Sequence, residues 1–127
     1  MTYAGDLTPA AAFELVRDNA DAVLVDVRTT GEWVHVGVPD LSELGKEVVF
    51  VEWQQGPQRS LNPAFVDELK HAVPPDVPVV MICRSGVRSV AAAHAATAAG
   101  LGPAYNVLEG FEGAGGWQRL GLPWGQQ

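Results

Sequence analysis

The chain has 127 residues, 47% hydrophobic and 18% charged, with a formal net charge of -7. That length and balance predict one folded domain, and the negative charge argues against general binding to nucleic acid or anionic membranes. The single cysteine, Cys83, excludes an internal disulfide and any paired-cysteine metal or redox motif.

The first periodic segment, LTPAAAFELVRDN (7–19), predicts a helix. Thr8 serves as N-cap, Pro9 occupies the first helical position, and Ala12, Phe13 and Val16 share an apolar face. AVLVDV (22–27) reads as a short buried strand, VPDLSELG as a turn with a short helix, and EVVFVEW (47–53) as a second strand. LNPAFVDELKHAV repeats the cap-then-proline pattern through Asn62 and Pro63, with Phe65, Val66 and Leu69 on one face. After the turn signals of PPDVP comes a third strand over 78–82, then a tight turn from Cys83 to Val87. RSVAAAHAATAAG predicts a helix that starts near Arg88 and closes with Gly100 just past its end. AYNVL (104–108) is a fourth strand, followed by a glycine-rich, aromatic-studded tail. Strands alternating with helices predict an α/β fold with a mainly parallel sheet of about four to five strands, helices covering both faces. In such sheets ligands bind beyond the carboxyl ends of the strands, where Cys83 stands.

The segment CRSGVRS (83–89) carries the chemistry. A strand–turn–helix junction can aim backbone N–H groups inward at an anion, and the helix start adds its unpaired donors and dipole. Gly86 allows the turn a left-handed residue, and Arg84 and Arg88 bring positive charge. From residue 80 onward the only Asp, Glu, Lys or Arg residues are Arg84, Arg88, Glu109, Glu112 and Arg119, so the turn reads as a basic spot on an acidic protein. Such surroundings favour a reactive thiolate over an inert core cysteine.

Two motifs, VLVDVRTTGEW (23–33) and VVMICRSGVRS (79–89), together with the closing GLGPAYNVLEGFEG…W…GLPW (100–124), resemble the single-domain rhodanese (sulfurtransferase) family. The resemblance implies that residues 1–127 form one rhodanese-like domain, a three-layer α/β arrangement. It implies a Cys83 thiolate that takes the outer sulfur of a donor such as thiosulfate, releasing sulfite. By the same likeness the persulfide is held by the loop of Arg84, Ser85, Gly86, Val87 and Arg88, with the two arginines attracting the anionic donor. The sulfur then passes to cyanide in vitro, or to a thiol or protein acceptor in the cell. Asp26 and Arg28 match the DVR motif and read as supporting charges near the site; Arg28 and Glu32, four apart, are expected to pair. Phosphatase relatives separate cysteine and arginine by five residues. Four residues, Arg84 to Val87, separate Cys83 from Arg88, a smaller cradle that favours sulfur over phosphate. The alternative is a sulfur-relay or binding module that serves one partner protein and turns over free donors poorly.

The chain departs from the family pattern in two places. VGVPD (36–40) stands where Gly-His-Ile-Pro-Gly is usual, placing Val36-Gly37 at the glycine and histidine, and Gly110-Phe111 stands at an expected double glycine. His35 is two positions from the usual histidine and does not take its role. The three histidines are scattered, with His94 expected to be solvated or packed and His71 to serve the last carbonyls and the dipole of its helix, so neither metal nor organic cofactor is implied. Trp53, Trp117 and Trp124 read as packing residues, with Trp53 alternatively lining the mouth of the site. No run approaches the ~18 apolar residues of a membrane span. The opening MTYAGDLTP lacks the basic and apolar regions of a signal peptide, so a cytoplasmic location is expected, with no nucleic acid and no membrane among the partners.

Overall fold

The computed structural model of the chain describes residues 3–126. Strand β1 (Gly5–Leu7) leads into helix α1 (Pro9–Asp18), which Thr8 caps by accepting the Ala11 N–H at 3.1 Å. Strand β2 (Val23–Asp26), helix α2 (Thr30–Val36) and the two-residue strand β3 (Val38–Pro39) follow. A 3-10 turn (Ser42–Leu44) precedes β4 (Val49–Phe50), and a small hairpin pairs β5 (Gln54–Gln55) with β6 (Ser60–Leu61). Helix α3 (Phe65–Ala72), β7 (Val79–Ile82), α4 (Arg88–Ala98), β8 (Ala104–Val107) and β9 (Trp124–Gly125) complete the order.

Five strands form one parallel sheet in the order β1-β8-β7-β2-β4. β7 is central and buried along its whole length, as its unbroken apolar run requires. The period-2 pleat divides it. Val79, Met81 and Cys83 face the layer of α3 and α4, while Val80 and Ile82 face the layer of α1 and the tail with Phe111 and Trp117. Ala92, Ala93 and Ala96 are fully buried, and these small side chains let α4 lie close against β7 and β8. On the opposite layer Lys46 closes the end of α1. Its Nζ donates to the carbonyls of Val16, Asn19 and Ala22 at 2.6–3.0 Å.

Several expectations shift in detail. The strand expected over 47–53 pairs in the sheet only at Val49–Phe50. The third helix starts at Phe65 because Asn62 closes a turn first, its side chain accepting from the Ala64 N–H and its carbonyl from the Phe65 N–H. β1, α2 and the β5–β6 hairpin lie where no regular element was expected.

Candidate functional site

Following β2 the chain crosses to β4, and following β7 it crosses the other way to β8, so the sheet's switch point lies between the carboxyl ends of β2 and β7. The DVR segment ends one strand and Cys83 the other. Asp26 pairs with Ile82 in register, and the Val27 N–H donates to the Ile82 carbonyl at 2.9 Å. The two motifs therefore meet, although Asp26 and Cys83 stand 57 positions apart in the chain (83 minus 26).

Cys83 is the one residue of its loop that is buried, at 1% exposure, while Arg84, Ser85 and Val87 are exposed. Its Sγ accepts from the Gly86 N–H at 3.1 Å and lies 3.1 Å from the Ser89 hydroxyl in the first turn of α4. Gly86 adopts φ +98°, the left-handed conformation expected of the turn. The tail seats this loop from behind. The Phe111 N–H donates to the Cys83 carbonyl at 2.7 Å and the Glu112 N–H to the Arg84 carbonyl at 2.9 Å. Such close backbone contact needs glycine at 110, where a Cβ would collide with the Cys83 and Arg84 main chain and φ is +56°.

The charges around the loop differ from the basic spot expected of the local sequence. Arg88 forms a bidentate ion pair with Glu32 of α2, at 2.8 and 2.9 Å, and both side chains are nearly buried (13% and 11% exposed). Burial pushes the Glu32 carboxyl up, but the Arg88 guanidinium and the Thr29 N–H and hydroxyl outweigh it and bring the group down to about 2. The same pair, against the cost of burial, raises Arg88 further. Arg84 is exposed and lies 3.4 Å from Glu112. Arg28 is fully buried and makes its ion pair with Asp26 at 2.8 Å, donates to the Gly37 carbonyl at 2.8 Å, and sits 4.0 Å from Glu112. Three arginines thus face three carboxylates, Asp26, Glu32 and Glu112, drawn from separate parts of the chain.

The expected Arg28–Glu32 pair does not form. Thr29 is the N-cap of α2, so Arg28 lies outside the helix, where four-residue spacing no longer places side chains on one face. Glu32 instead completes a capping box with Thr29 and reaches Arg88. Sequence reasoning missed Glu32, Glu112 and Ser89 as members of the site; the Thr29-x-x-Glu32 spacing was the available signal for the first.

The two departures from the family pattern converge on one cluster. Phe111, fully buried, covers the Arg28 guanidinium at 4.2 Å and meets Trp124 edge-on at 6.2 Å. Trp124 also presses on Gly37, where any Cβ would come within 2.8 Å of its ring. Gly37 and Phe111 are therefore two sides of one arrangement that buries Arg28 beneath aromatic rings. The remaining residues singled out in the sequence make packing contacts. His94 is exposed and packs on Tyr3 at 4.9 Å, Trp117 is core, and Trp53 packs on Phe65 at 4.9 Å, partly exposed. Among the described residues no group of three His, Cys, Asp or Glu side chains is arranged to hold a metal ion, and no helix is long and apolar enough to cross a membrane.

A parallel five-stranded sheet with a cysteine loop at its switch point defines a rhodanese-like α/β protein. Residues 5–127 match the family model described as the STR4 middle domain, and the chain belongs to this rhodanese-like family. It is similar to the crystal structure of Rv0390 from M. tuberculosis, with 52% identity over 99% of this chain and 100% of that one and a TM-score of 0.93. An uncharacterized protein of Rickettsia conorii is 39% identical over 118 residues, covering 89% of this chain and 90% of the relative. Thiosulfate sulfurtransferase GlpE of Actinobacillus pleuropneumoniae is 30% identical, covering 93% of this chain and 90% of its own.

Proposed function

We propose that residues 1–127 act as one rhodanese-type sulfurtransferase domain in the cytoplasm, with Cys83 as the sulfur carrier. The observation that carries this reading is the position of Cys83 Sγ, buried under a loop whose Gly86 N–H already donates to it. The likeness to a thiosulfate sulfurtransferase over nine-tenths of both chains supports it.

The reaction proceeds in two halves. Cys83 Sγ bonds to the outer sulfur of thiosulfate, and the bond from that sulfur to the sulfonate breaks. The electron pair leaves on sulfite, and the Cys83 thiolate becomes a persulfide anion. The backbone of Arg84 to Arg88 cradles the outer sulfur, and donors fixed in advance stabilise its charge without reorganising. An attacking cyanide, thiol or protein thiolate then bonds to the outer sulfur and regenerates the Cys83 thiolate. Arg84, exposed and held only loosely by Glu112, is the guanidinium free to meet an anionic donor. Arg88 stiffens the loop through Glu32, and Asp26 and Arg28 support it from β2.

Cyanide-dependent turnover of thiosulfate by the parent and by Cys83→Ser tests this directly. Turnover is expected in the parent alone, and a fully active Cys83→Ser would end the proposal.

A specific observation favours a second reading, transfer from or to a partner protein with poor use of free donors. The three arginines are matched by three carboxylates, and Val87 and Leu108, 75% and 42% exposed, give the mouth of the loop an apolar rim. A charge-balanced, partly apolar mouth suits a protein persulfide better than a free dianion. Slow loading from thiosulfate beside fast loading from a protein persulfide would select it.

A further inference from the structure

Arg28 leaves one nitrogen of its buried guanidinium unsatisfied. Its Nε and Nη2 donate to the Asp26 carboxylate at 2.8–3.2 Å, and Nη2 also donates to the Gly37 carbonyl at 2.8 Å. Nη1 has no hydrogen-bond partner, although the residue is fully buried. A second carboxylate stands just out of reach. Glu112 Oε2 is 4.0 Å from Arg28 Nη1, while Glu112 Oε1 is 3.4 Å from Arg84 Nε. Both distances exceed the roughly 2.7–2.9 Å of a charge-assisted hydrogen bond. Glu112 therefore stands between two guanidiniums and is bound firmly to neither.

The surroundings decide which of the two contacts is exchangeable. Asp26 balances Arg28 and Glu32 holds Arg88, so Arg84 is the guanidinium left for Glu112 to neutralise. The Arg84 side chain is 66% exposed, and an ion pair at such a site is weak and readily replaced by another anion. Arg28 Nη1 has no such freedom. Phe111 covers the guanidinium, so its unpaired N–H groups cannot turn to water and their desolvation is not repaid. The Glu112 main chain is anchored by its N–H, which donates to the Arg84 carbonyl at 2.9 Å. Turning the side chain alone, to carry Oε2 about 1 Å, would complete Arg28.

We propose that Glu112 is a specificity-determining residue that neutralises Arg84 while the site is empty and yields it to a donor bearing an oxyanion group by moving onto Arg28 Nη1. This deepens the sulfur-carrier reading and rests on it for its purpose. The oxyanion on Arg84 and the carboxylate on Arg28 favour each other, since each occupies the place that the other leaves. An anionic donor thus displaces Glu112 at little net cost, because the buried guanidinium gains its missing acceptor. A donor without an oxyanion does not call on Arg84 and leaves Glu112 where it is.

The test is a sulfite titration of protein labelled with nitrogen isotope in arginine, followed by the NMR signals of the guanidinium groups. Sulfite carries the oxyanion but no outer sulfur to transfer, so the titration reads anion binding alone. In the parent, the Arg84 Nε and Arg28 Nη1 signals should shift together, with one midpoint in sulfite. In Glu112→Gln, Arg84 should shift at a several-fold lower sulfite concentration, because nothing has to be displaced, and Arg28 should stay still. The Arg88 signal, held by Glu32, serves as the internal control and should move little in either protein. Thiosulfate titrated into Cys83→Ser, which cannot accept its sulfur, should repeat the parent pattern.

An Arg28 signal that stays still in the parent while Arg84 shifts would overturn the proposal. So would an Arg28 shift that survives in Glu112→Gln, since the anion and not the carboxylate would then be reaching it. An Arg84 signal that sulfite leaves unmoved would overturn it as well. The parent titration alone decides the first and third outcomes, so the proposal stays open to refutation if a variant does not fold. Paired shifts in a protein that never gains sulfur would uphold the role of Glu112 and end the sulfur-carrier reading separately.

Discussion

Replacing Glu32 by Gln removes the carboxylate that holds Arg88 while keeping the shape of the side chain. In the folded protein Glu32 titrates near 2, against an ordinary value of 4.5. That difference of about 2.5 pH units, at about 1.4 kcal/mol each, amounts to roughly 3 kcal/mol of pH-dependent stability. The sign follows from the depressed folded value. The contribution is complete above the unfolded value, fades as pH falls from about 4.5 to about 2, and is gone below that range. Urea unfolding of parent and Glu32→Gln in parallel isolates this group, because the other carboxylates cancel in the difference. The parent should be more stable by roughly 2–3 kcal/mol at neutral pH, equivalent to about 10 °C in melting temperature for a chain of this size. The two should converge towards pH 2. A gap below about 0.5 kcal/mol at neutral pH, the size of an ordinary surface ion pair, would refute the reasoning. A gap that persists unchanged in acid would refute it equally.

Three further outcomes follow from the same contacts. Gly37→His restores the residue usual in the family yet should destabilise by more than 2 kcal/mol, because even its Cβ meets the Trp124 ring; adding Trp124→Ala should recover part of that loss in a thermal-melt double-mutant cycle. Glu112→Gln leaves Arg84 without its carboxylate, so the rate of loading from thiosulfate should rise a few-fold at low salt and the gain should shrink as salt is added. Lys46→Met withdraws three hydrogen bonds from the end of α1 and should cost about 1–3 kcal/mol in urea unfolding, with loading from thiosulfate unchanged.

The parts of the fold visible in the sequence are those whose signals are local. Thr8-Pro9 announces α1, the apolar runs announce β2, β7 and β8, and the alanines before Gly100 announce α4. β1 is only three residues with an exposed Asp6 at its centre, too short for alternation to show, and it is a strand because β8 offers a free edge. α2, TGEWVHV, begins with threonine and glycine and carries two valines, poor helix formers, so the Thr29–Glu32 capping box defines it more than propensity does. Within the site, the position of Cys83 at a strand end and the turn before α4 were legible. The charge balance was not. Arg84 and Arg88 stand beside the cysteine in the chain, whereas Glu32 comes from 51 residues before it (83 minus 32) and Glu112 from 29 after it (112 minus 83). Only the folded sheet brings them together. The hydrogen bonds from Ser89 to Asn106 and from Asn106 to Asp6 were hidden for the same reason, the second joining residues 100 positions apart.

The central claim is that Cys83 carries sulfur, and the most direct measurement is the intact mass of the protein before and after incubation with thiosulfate, beside Cys83→Ser. The account predicts a gain of one sulfur atom in the parent, removed by cyanide and absent from the variant. An equal gain in Cys83→Ser would contradict it, as would a parent that stays unmodified with both thiosulfate and a protein persulfide.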